Sequence, residues 1–149
     1  GFDFNMLLQG QLGAHAFNVT RRTDLYYINL PRTILNRWTG EGTSNRYPKF
    51  EFSSANDNLR VSDLWVEDAS FLRARNVQLG YTLSPNLTKK AFIQRLRFYA
   101  QIENLFTLTK YTGCDPEVSG GGSYGTEVGV DRGVYPQSRT VSLGVNLTF

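Results

Sequence analysis

The chain has 149 residues, enough for one ordinary domain, and its formal net charge is +3 with the 16 Lys and Arg residues scattered rather than clustered. This scatter argues against a nucleic-acid-binding surface. The only cysteine is Cys114 and the only histidine is His15, which excludes an internal disulfide, a cysteine-cluster or His-based metal site and a His-based catalytic triad within this chain.

The first predicted strand covers residues 2 to 16. Apolar residues alternate with polar ones, and successive side chains of a strand point to opposite faces. One face would carry Phe2, Phe4, Met6 and Leu8, and the other Asp3, Asn5, Gln9 and Gln11. A strand of about fifteen residues is far longer than the five or six that are usual in globular proteins.

The second predicted strand covers residues 68 to 83, and its alternation is irregular. Val77, Leu79 and Tyr81 share a face with Arg73 and Arg75 if the strand is regular. Two explanations remain: a bulge near Asn76, or an arginine end that extends beyond the apolar band of the strand. We favour the second.

Two further strands are predicted at residues 95 to 107 and 137 to 149. The third strand places Arg97, Tyr99, Gln101 and Glu103 opposite an apolar face. The fourth alternates Val141, Leu143, Val145, Leu147 and Phe149 with Ser142, Gly144, Asn146 and Thr148. Adjacent Glu67 and Asp68 would point to opposite faces of an extended segment, so a paired-carboxylate catalytic device is not predicted. Since a His-based triad is excluded as well, no enzymatic activity is predicted.

The connections between the strands differ in length. Residues 84 to 94 form a short link, whereas residues 17 to 64 and 107 to 135 form long ones, the first with a short helix in "LPRTILNRWTGEG". Short turns on one side and long extracellular loops on the other are typical of outer-membrane β-barrels, whose strands need only about 9 to 11 residues to cross the bilayer. Four strands cannot close a barrel, because the smallest have about eight. Other residues must complete the wall.

Four segments resemble the SusC/RagA-type TonB-dependent outer-membrane transporters: "LNRWTGEG", "VEDASFLRARNVQLGYTLSP", "RFYAQIENLFTLTKYTGCDPEV" and "GVDRGVYPQSRTVSLGVNLTF". The resemblance implies an all-β fold in which residues 1–149 supply the last four antiparallel strands of a 22-stranded barrel, with the plug and N-terminal regions elsewhere. It also implies nutrient import of oligosaccharides or peptides with a SusD-like lipoprotein, energised by TonB. The outer membrane would be the site of action.

The barrel interpretation predicts three groups of functional residues. Residues that face the lumen, where they contact water, plug or solute, would be Asp3, Asn5, Gln9, Gln11, Arg97, Tyr99, Gln101, Glu103, Ser142 and Asn146. Loop aromatics that contact a sugar or a partner, or alternatively pack the loops together, would be Tyr26, Tyr27, Trp38, Tyr47, Tyr111, Tyr124 and Tyr135. The lipid-facing residues Val141, Leu143, Val145, Leu147 and Phe149 would also form the signal recognised by the barrel assembly machinery.

No cofactor is predicted, although calcium at the loop carboxylates Asp115, Glu117, Glu127 and Asp131 is a minor alternative. Two other functions share parts of the pattern. A siderophore or cobalamin receptor has the same architecture but a different substrate. A soluble carbohydrate-binding β-domain would bury the same apolar faces against each other in a core.

Overall fold

The computed structural model describes residues 1–21, 29–30, 32–50, 62–118 and 128–149. Its strands are β1 (Phe2–Gln11), β2 (His15–Asn18), β3 (Val66–Asp68), β4 (Phe71–Thr82), β5 (Arg95–Glu103), β6 (Thr107–Thr109), β7 (Val130–Asp131) and β8 (Thr140–Thr148). The single described α-helix, α1, is Pro85–Thr88, and short 3₁₀ turns cover Val19–Arg21, Arg32–Asn36, Asp63–Trp65 and Lys89–Ala91. No helix in these ranges is long and apolar enough to span a bilayer.

The main sheet has the order β1-β4-β5-β8, with every neighbouring pair antiparallel. The order confirms four antiparallel strands in an up-and-down sheet that follows the chain, although the first strand is shorter than predicted. Strand β6 continues the line of β5 after an interruption at residues 104 to 106 and pairs with the first residues of β4. Asn104 adopts a left-handed conformation there, with φ of 51°, and its backbone N–H still donates to the Arg75 carbonyl at 3.0 Å.

The register separates the sheet into two chemically different faces. Phe4 pairs with Leu79, Leu79 with Ala100, and Ala100 with Leu143, so these rows of side chains share one face. We call it the apolar face; it comprises Phe2, Phe4, Met6, Val77, Leu79, Tyr81, Leu96, Phe98, Ala100, Ile102, Val141, Leu143, Val145 and Leu147. None of the described elements covers it, and Phe2 and Leu143 are about 80% exposed (79% and 81%).

The first strand ends earlier than the sequence indicated. β1 stops at Gln11, and Gly13 adopts a positive φ of 72° that turns the chain out of the main sheet. β2 then joins a second, three-stranded sheet, antiparallel to β3 and parallel to β7. The prediction of one continuous strand over residues 2 to 16 is thus wrong, because alternation alone does not reveal that a glycine redirects the chain.

The irregular alternation in β4 comes from a bulge. Leu7 pairs with Asn76 but Leu8 pairs with Ala74, which leaves Arg75 as the extra residue. An extra residue shifts the alternation by one, so Arg73 pairs with Gln9 on the side opposite the apolar face. The explanation that we favoured, an arginine end beyond the apolar band, is wrong, and the bulge that was its alternative is confirmed.

The short link ends in an unusual backbone conformation. α1 and the following 3₁₀ turn carry the chain from β4 to Phe92, which lies in the left-handed region with φ of 57° and is 91% exposed. The Ile93 N–H donates to the Thr88 carbonyl at 3.2 Å, and the Gln94 N–H donates to the Thr148 carbonyl at 2.8 Å. The link between two long strands is therefore short, as predicted.

Most of the described buried residues lie in the long loops or at the long-loop end of β4. Ala16, Ala69 and Tyr111 form a buried cluster, against which Ala14 and Val118 pack. The predicted helix in the first loop is present as the 3₁₀ turn Arg32–Asn36. The second sheet and this small core thus form one body at the long-loop end, which we call the loop cluster.

Candidate functional site

The side of the main sheet opposite the apolar face carries interacting polar side chains, and we call it the polar face. Near the short-turn end, the Arg97 guanidinium on β5 donates two hydrogen bonds to Asp3 on β1, at 2.5 Å (Nη2 to Oδ2) and 3.1 Å (Nε to Oδ1). The guanidinium also lies 5.3 Å from the centre of the Tyr99 ring. A charged pair thus spans the intervening strand β4.

Two glycines allow these large side chains to lie flat on the sheet. A Cβ added to Gly80 of β4 would collide with the ends of Asp3 and Arg97, and a Cβ added to Gly144 of β8 would collide with the Tyr99 ring. The side chains cross the neighbouring strands in the space that a methyl group would fill. The polar face is therefore flat around Gly80 and Gly144.

In the middle of the polar face the contacts are between neutral amides and a carboxylate. Gln78 donates to Gln101 at 3.3 Å, and Gln101 donates to Glu103 at 3.2 Å. By pairing or by alternation along β1, all ten predicted lumen residues lie on this face: Asp3, Asn5, Gln9, Gln11, Arg97, Tyr99, Gln101, Glu103, Ser142 and Asn146. The strand register shows that these ten residues share one face. That this face borders a barrel lumen stays a prediction.

Near the long-loop end, two arginines of the bulge region bind two carboxylates of the second long loop. Arg73, 2% exposed, donates to Asp115 at 2.6 Å, to Glu117 at 3.0 Å and to the Thr107 hydroxyl at 2.8 Å. Arg75 donates to both oxygens of Glu117 at 2.6 and 2.7 Å, and to Gln9 at 2.6 Å. We call these four charged residues the arginine–carboxylate cluster.

Asp115 also holds the loop backbone. Its Oδ1 accepts from the Glu117 N–H at 2.9 Å and its Oδ2 from the Gln137 N–H at 3.1 Å. Burial by itself would raise the pKa of this carboxyl, but the hydrogen bonds from Glu117, Arg73 and Gln137 outweigh burial and lower the pKa below its usual value. Asp115 is therefore ionised at neutral pH and joins both ends of the loop to the sheet.

The loop cluster is organised around buried polar residues. Asp131, which is fully buried, accepts from the Tyr111 hydroxyl at 2.6 Å and from the Gly133 and Val134 N–H groups at 2.8 and 3.0 Å. Gly113 lies so close that a Cβ there would collide with both Tyr111 and Asp131. Burial, followed by the hydrogen bond to Asp131, raises the pKa of Tyr111, so its hydroxyl stays protonated.

A second set of hydrogen bonds joins the first loop to the second. Glu67 of β3 accepts from Asn18 at 3.3 Å through one oxygen, and from the backbone N–H of Thr112 at 3.1 Å and the Thr112 hydroxyl through the other. Asn18, itself fully buried, accepts from the Thr20 hydroxyl at 2.5 Å. The three segments near residues 18, 67 and 112 are thereby held together.

The predicted loop-contact residues occupy different environments. Tyr111 is 7% exposed and packs the loops together, which is the alternative role considered from the sequence and not a surface contact. Trp38 and Tyr135 are exposed to 38% and 86%, and Tyr47 is half-buried. Tyr26, Tyr27 and Tyr124 lie outside the described residues. Surface contact by the others stays a prediction.

The carboxylates considered for calcium have protein partners where the structure describes them. Asp115 and Glu117 bind the two arginines, and Asp131 binds Tyr111 and backbone amides. Glu127 lies outside the described residues. No group of three or more His, Cys, Asp or Glu side chains in the described ranges converges as a metal site.

Sequence reasoning missed the importance of Arg73 and Asp131. The irregular position of Arg73 in an otherwise alternating strand was the available signal, since an arginine that would break an apolar face requires a bulge or a partner. Asp131 lies in a Gly-rich segment without periodicity, so no local pattern indicated its burial.

The residues of the predicted assembly signal lie at the end of the chain. On the apolar face of β8 are Val141, Leu143, Val145 and Leu147, and Phe149 lies just beyond the end of the strand and is 76% exposed. Their role in assembly stays a prediction.

No protein-family model matches the chain. It is 32% identical to the TonB-dependent receptor P39 of Formosa agariphila, over all of this chain and 15% of that receptor. It is 38% identical to the TonB-dependent receptor SusC of Bacteroides thetaiotaomicron, over 99% of this chain and 14% of that receptor. In solved structures it resembles the RagAB peptide transporter, with a TM-score of 0.78 and 28% identity, over all of this chain and 16% of that one.

The chain belongs to the SusC/RagA-type TonB-dependent receptors. A second RagAB structure, the peptide importer in its closed-closed state, matches with a TM-score of 0.77 and 28% identity over the same shares. The β1-β4-β5-β8 sheet of this SusC/RagA-type chain is accordingly part of an outer-membrane β-barrel wall, which confirms the predicted fold class and localisation. The chain spans about one seventh of the length of the relatives it matches. The total of 22 strands stays a prediction.

Proposed function

We propose that this chain forms the C-terminal part of the barrel wall of an active nutrient transporter that imports oligosaccharides or peptides. In this proposal a SusD-like surface lipoprotein is the partner at the long-loop end, and TonB supplies energy through a region outside this chain. The similarity to SusC and to RagAB, which is described as a peptide importer, supports the proposal. We propose no catalytic role, since the named relatives are receptors and importers.

The observation that carries the proposal is the division of one sheet into two faces. The apolar face has 14 residues that no described element covers, with Phe2 79% and Leu143 81% exposed, whereas soluble monomers rarely leave a large contiguous apolar patch in water. Contact with lipid removes the free-energy cost of exposing these apolar side chains to water. The opposite face carries an ion pair and hydrogen-bonded amides, which suit contact with water, a plug or a passing solute.

The two alternative functions are supported less well. A soluble carbohydrate-binding domain needs a second apolar layer over the sheet, and none of the described elements provides one. A siderophore or cobalamin receptor fits the sheet equally well, but the similarity to SusC and RagAB favours the nutrient-import class.

The experiment changes each face separately in the full-length transporter. Asn5, Gln101 and Ser142 lie in one row of the polar face, and replacing all three by Ala should alter transport or plug retention with normal membrane assembly. Leu143→Arg on the apolar face should instead lower the amount of assembled barrel, because a cation facing lipid costs about 2–4 kcal/mol near the bilayer midplane.

Assembly is measured by the heat-dependent change in gel migration of the membrane fraction, and transport by uptake of labelled nutrient. A Leu143→Ile variant controls for altered packing on the same face. The proposal is refuted if Leu143→Arg assembles normally, or if the triple polar-face variant transports as the wild type does.

A further inference from the structure

A pocket of about 250 Å³ lies in the loop cluster, between the first and second long loops. Its walls include Arg46, Tyr47, Trp65, Glu67, Asp68 and Lys110. The volume is below the roughly 300–1,000 Å³ of pockets for drug-sized ligands, so it suits one sugar or one amino-acid residue. The pocket is separate from the polar face and from the arginine–carboxylate cluster.

The backbone that carries Arg46 and Tyr47 is held by local hydrogen bonds. The Trp38 N–H donates to the Tyr47 carbonyl at 2.9 Å, and the Tyr47 N–H donates to the Ser44 hydroxyl at 3.2 Å. The Thr43 hydroxyl accepts from the Thr39 N–H at 2.9 Å and thereby closes the turn between them. The first loop therefore presents this wall of the pocket in a defined conformation.

The two cations of the pocket have unused hydrogen-bond donors. Arg46 lies over the Tyr47 ring, with its Cζ 5.5 Å from the ring centre, in a cation–π contact that leaves its N–H groups available. Throughout the part of the chain that the structure describes, no carboxylate forms an ion pair with Arg46 or with Lys110. Both side chains are exposed to solvent at the pocket.

The two carboxylates of the pocket each accept hydrogen bonds from the protein. Glu67 accepts hydrogen bonds from Asn18 and Thr112 in the loop cluster. Asp68 accepts from the Ser70 N–H at 2.8 Å. Arg46 and Lys110 supply hydrogen-bond donors that remain open at the pocket, beside the aromatic rings of Tyr47 and Trp65.

We propose that this pocket binds a carboxylate-bearing ligand residue, with Arg46 and Lys110 holding the carboxylate and Tyr47 packing against the attached ring or chain. A uronate sugar of an acidic oligosaccharide and the C-terminal residue of a peptide share this chemistry. A planar guanidinium matches the two oxygens of a carboxylate, and an aromatic ring suits an apolar ligand face. The site rests on the proposed import function for the source of its ligand, but its binding chemistry does not require transport.

Binding is tested on the full-length transporter purified in detergent, with galacturonic acid oligomers in one arm and a short peptide with a free C-terminus in the other. The probes for comparison are the matching galacturonate methyl esters and the C-terminally amidated peptide. At least one acid should bind at least tenfold more tightly than its neutral counterpart, and its binding should weaken with added salt. Equal binding of acid and neutral forms in both arms overturns the proposal.

The paired variant Arg46→Gln/Lys110→Gln should weaken binding of the acid at least tenfold, as expected for lost charge-assisted hydrogen bonds. Lys89→Gln/Lys90→Gln removes the same charge from the short link and should bind normally. Heat-dependent gel migration verifies that each variant is a folded barrel. Unchanged affinity of the pocket variant refutes this site. If the wild-type transporter binds the acid in the pocket but does not take it up, the import function alone is contradicted.

Discussion

The arginine–carboxylate cluster provides the sharpest test of how the second long loop is attached to the barrel wall. Asp115→Asn keeps the shape of the side chain but removes one of two negative charges that face Arg73 and Arg75. Breaking a buried ion pair costs about 3–5 kcal/mol. We expect the substitution to destabilise the attached loop by about 3 kcal/mol, the lower end of this range. Glu117, which lies 3.0 Å from the Arg73 guanidinium, still neutralises part of its charge.

Local opening of the loop should therefore become roughly a hundredfold more frequent, since each 1.4 kcal/mol is about a factor of ten. The amides of Glu117 and Gln137 report on it directly, because both donate to Asp115 in the wild-type protein. Hydrogen exchange followed by mass spectrometry on the full-length transporter in detergent measures their protection.

Asp63→Asn is the matched control, since Asp63 is an exposed aspartate of the first loop. It should leave the exchange of both amides unchanged. If Asp115→Asn exchanges at the wild-type rate, or if the control accelerates exchange equally, the cluster does not hold the loop and the reasoning fails.

Three further predictions concern pH, the loop cluster and assembly. The pKa of Asp115 is lowered, so its stabilisation is complete above the usual value of 3.8 and is lost as pH falls through the lowered pKa; loop exchange, corrected for its intrinsic rate, should rise as pH falls below about 3.8 and stay level above it. Tyr111→Phe removes a donor to buried Asp131 and should cost about 1–3 kcal/mol, detected as faster exchange at the Gly133 amide and contradicted by unchanged protection. Deletion of Phe149 should reduce the heat-modifiable barrel in membranes more than uptake per assembled molecule, and normal assembly would disprove that role.

Much of the main sheet was predictable from local pattern. Alternation in β1, β4, β5 and β8 determines which residues share a face, because the side-chain period of a strand is two wherever no residue is inserted. The rule failed at Arg75, where one extra residue reverses the alternation of the β4 residues that precede it. It failed again at Gly13, where a positive φ sends an apparently continuous strand into another sheet.

The amino-acid sequence by itself determined the two-faced strands, the unequal connections and the resemblance to SusC/RagA-type receptors, because each depends on neighbours along the chain. Only the tertiary structure decided that Arg73 meets Asp115, that Tyr111 meets Asp131 and that Arg46 and Lys110 share a pocket. These partners are 20 to 64 residues apart in the chain. Their meeting depends on how loops without periodicity pack, and buried hydrogen bonds between distant residues leave no repeating signal in a sequence.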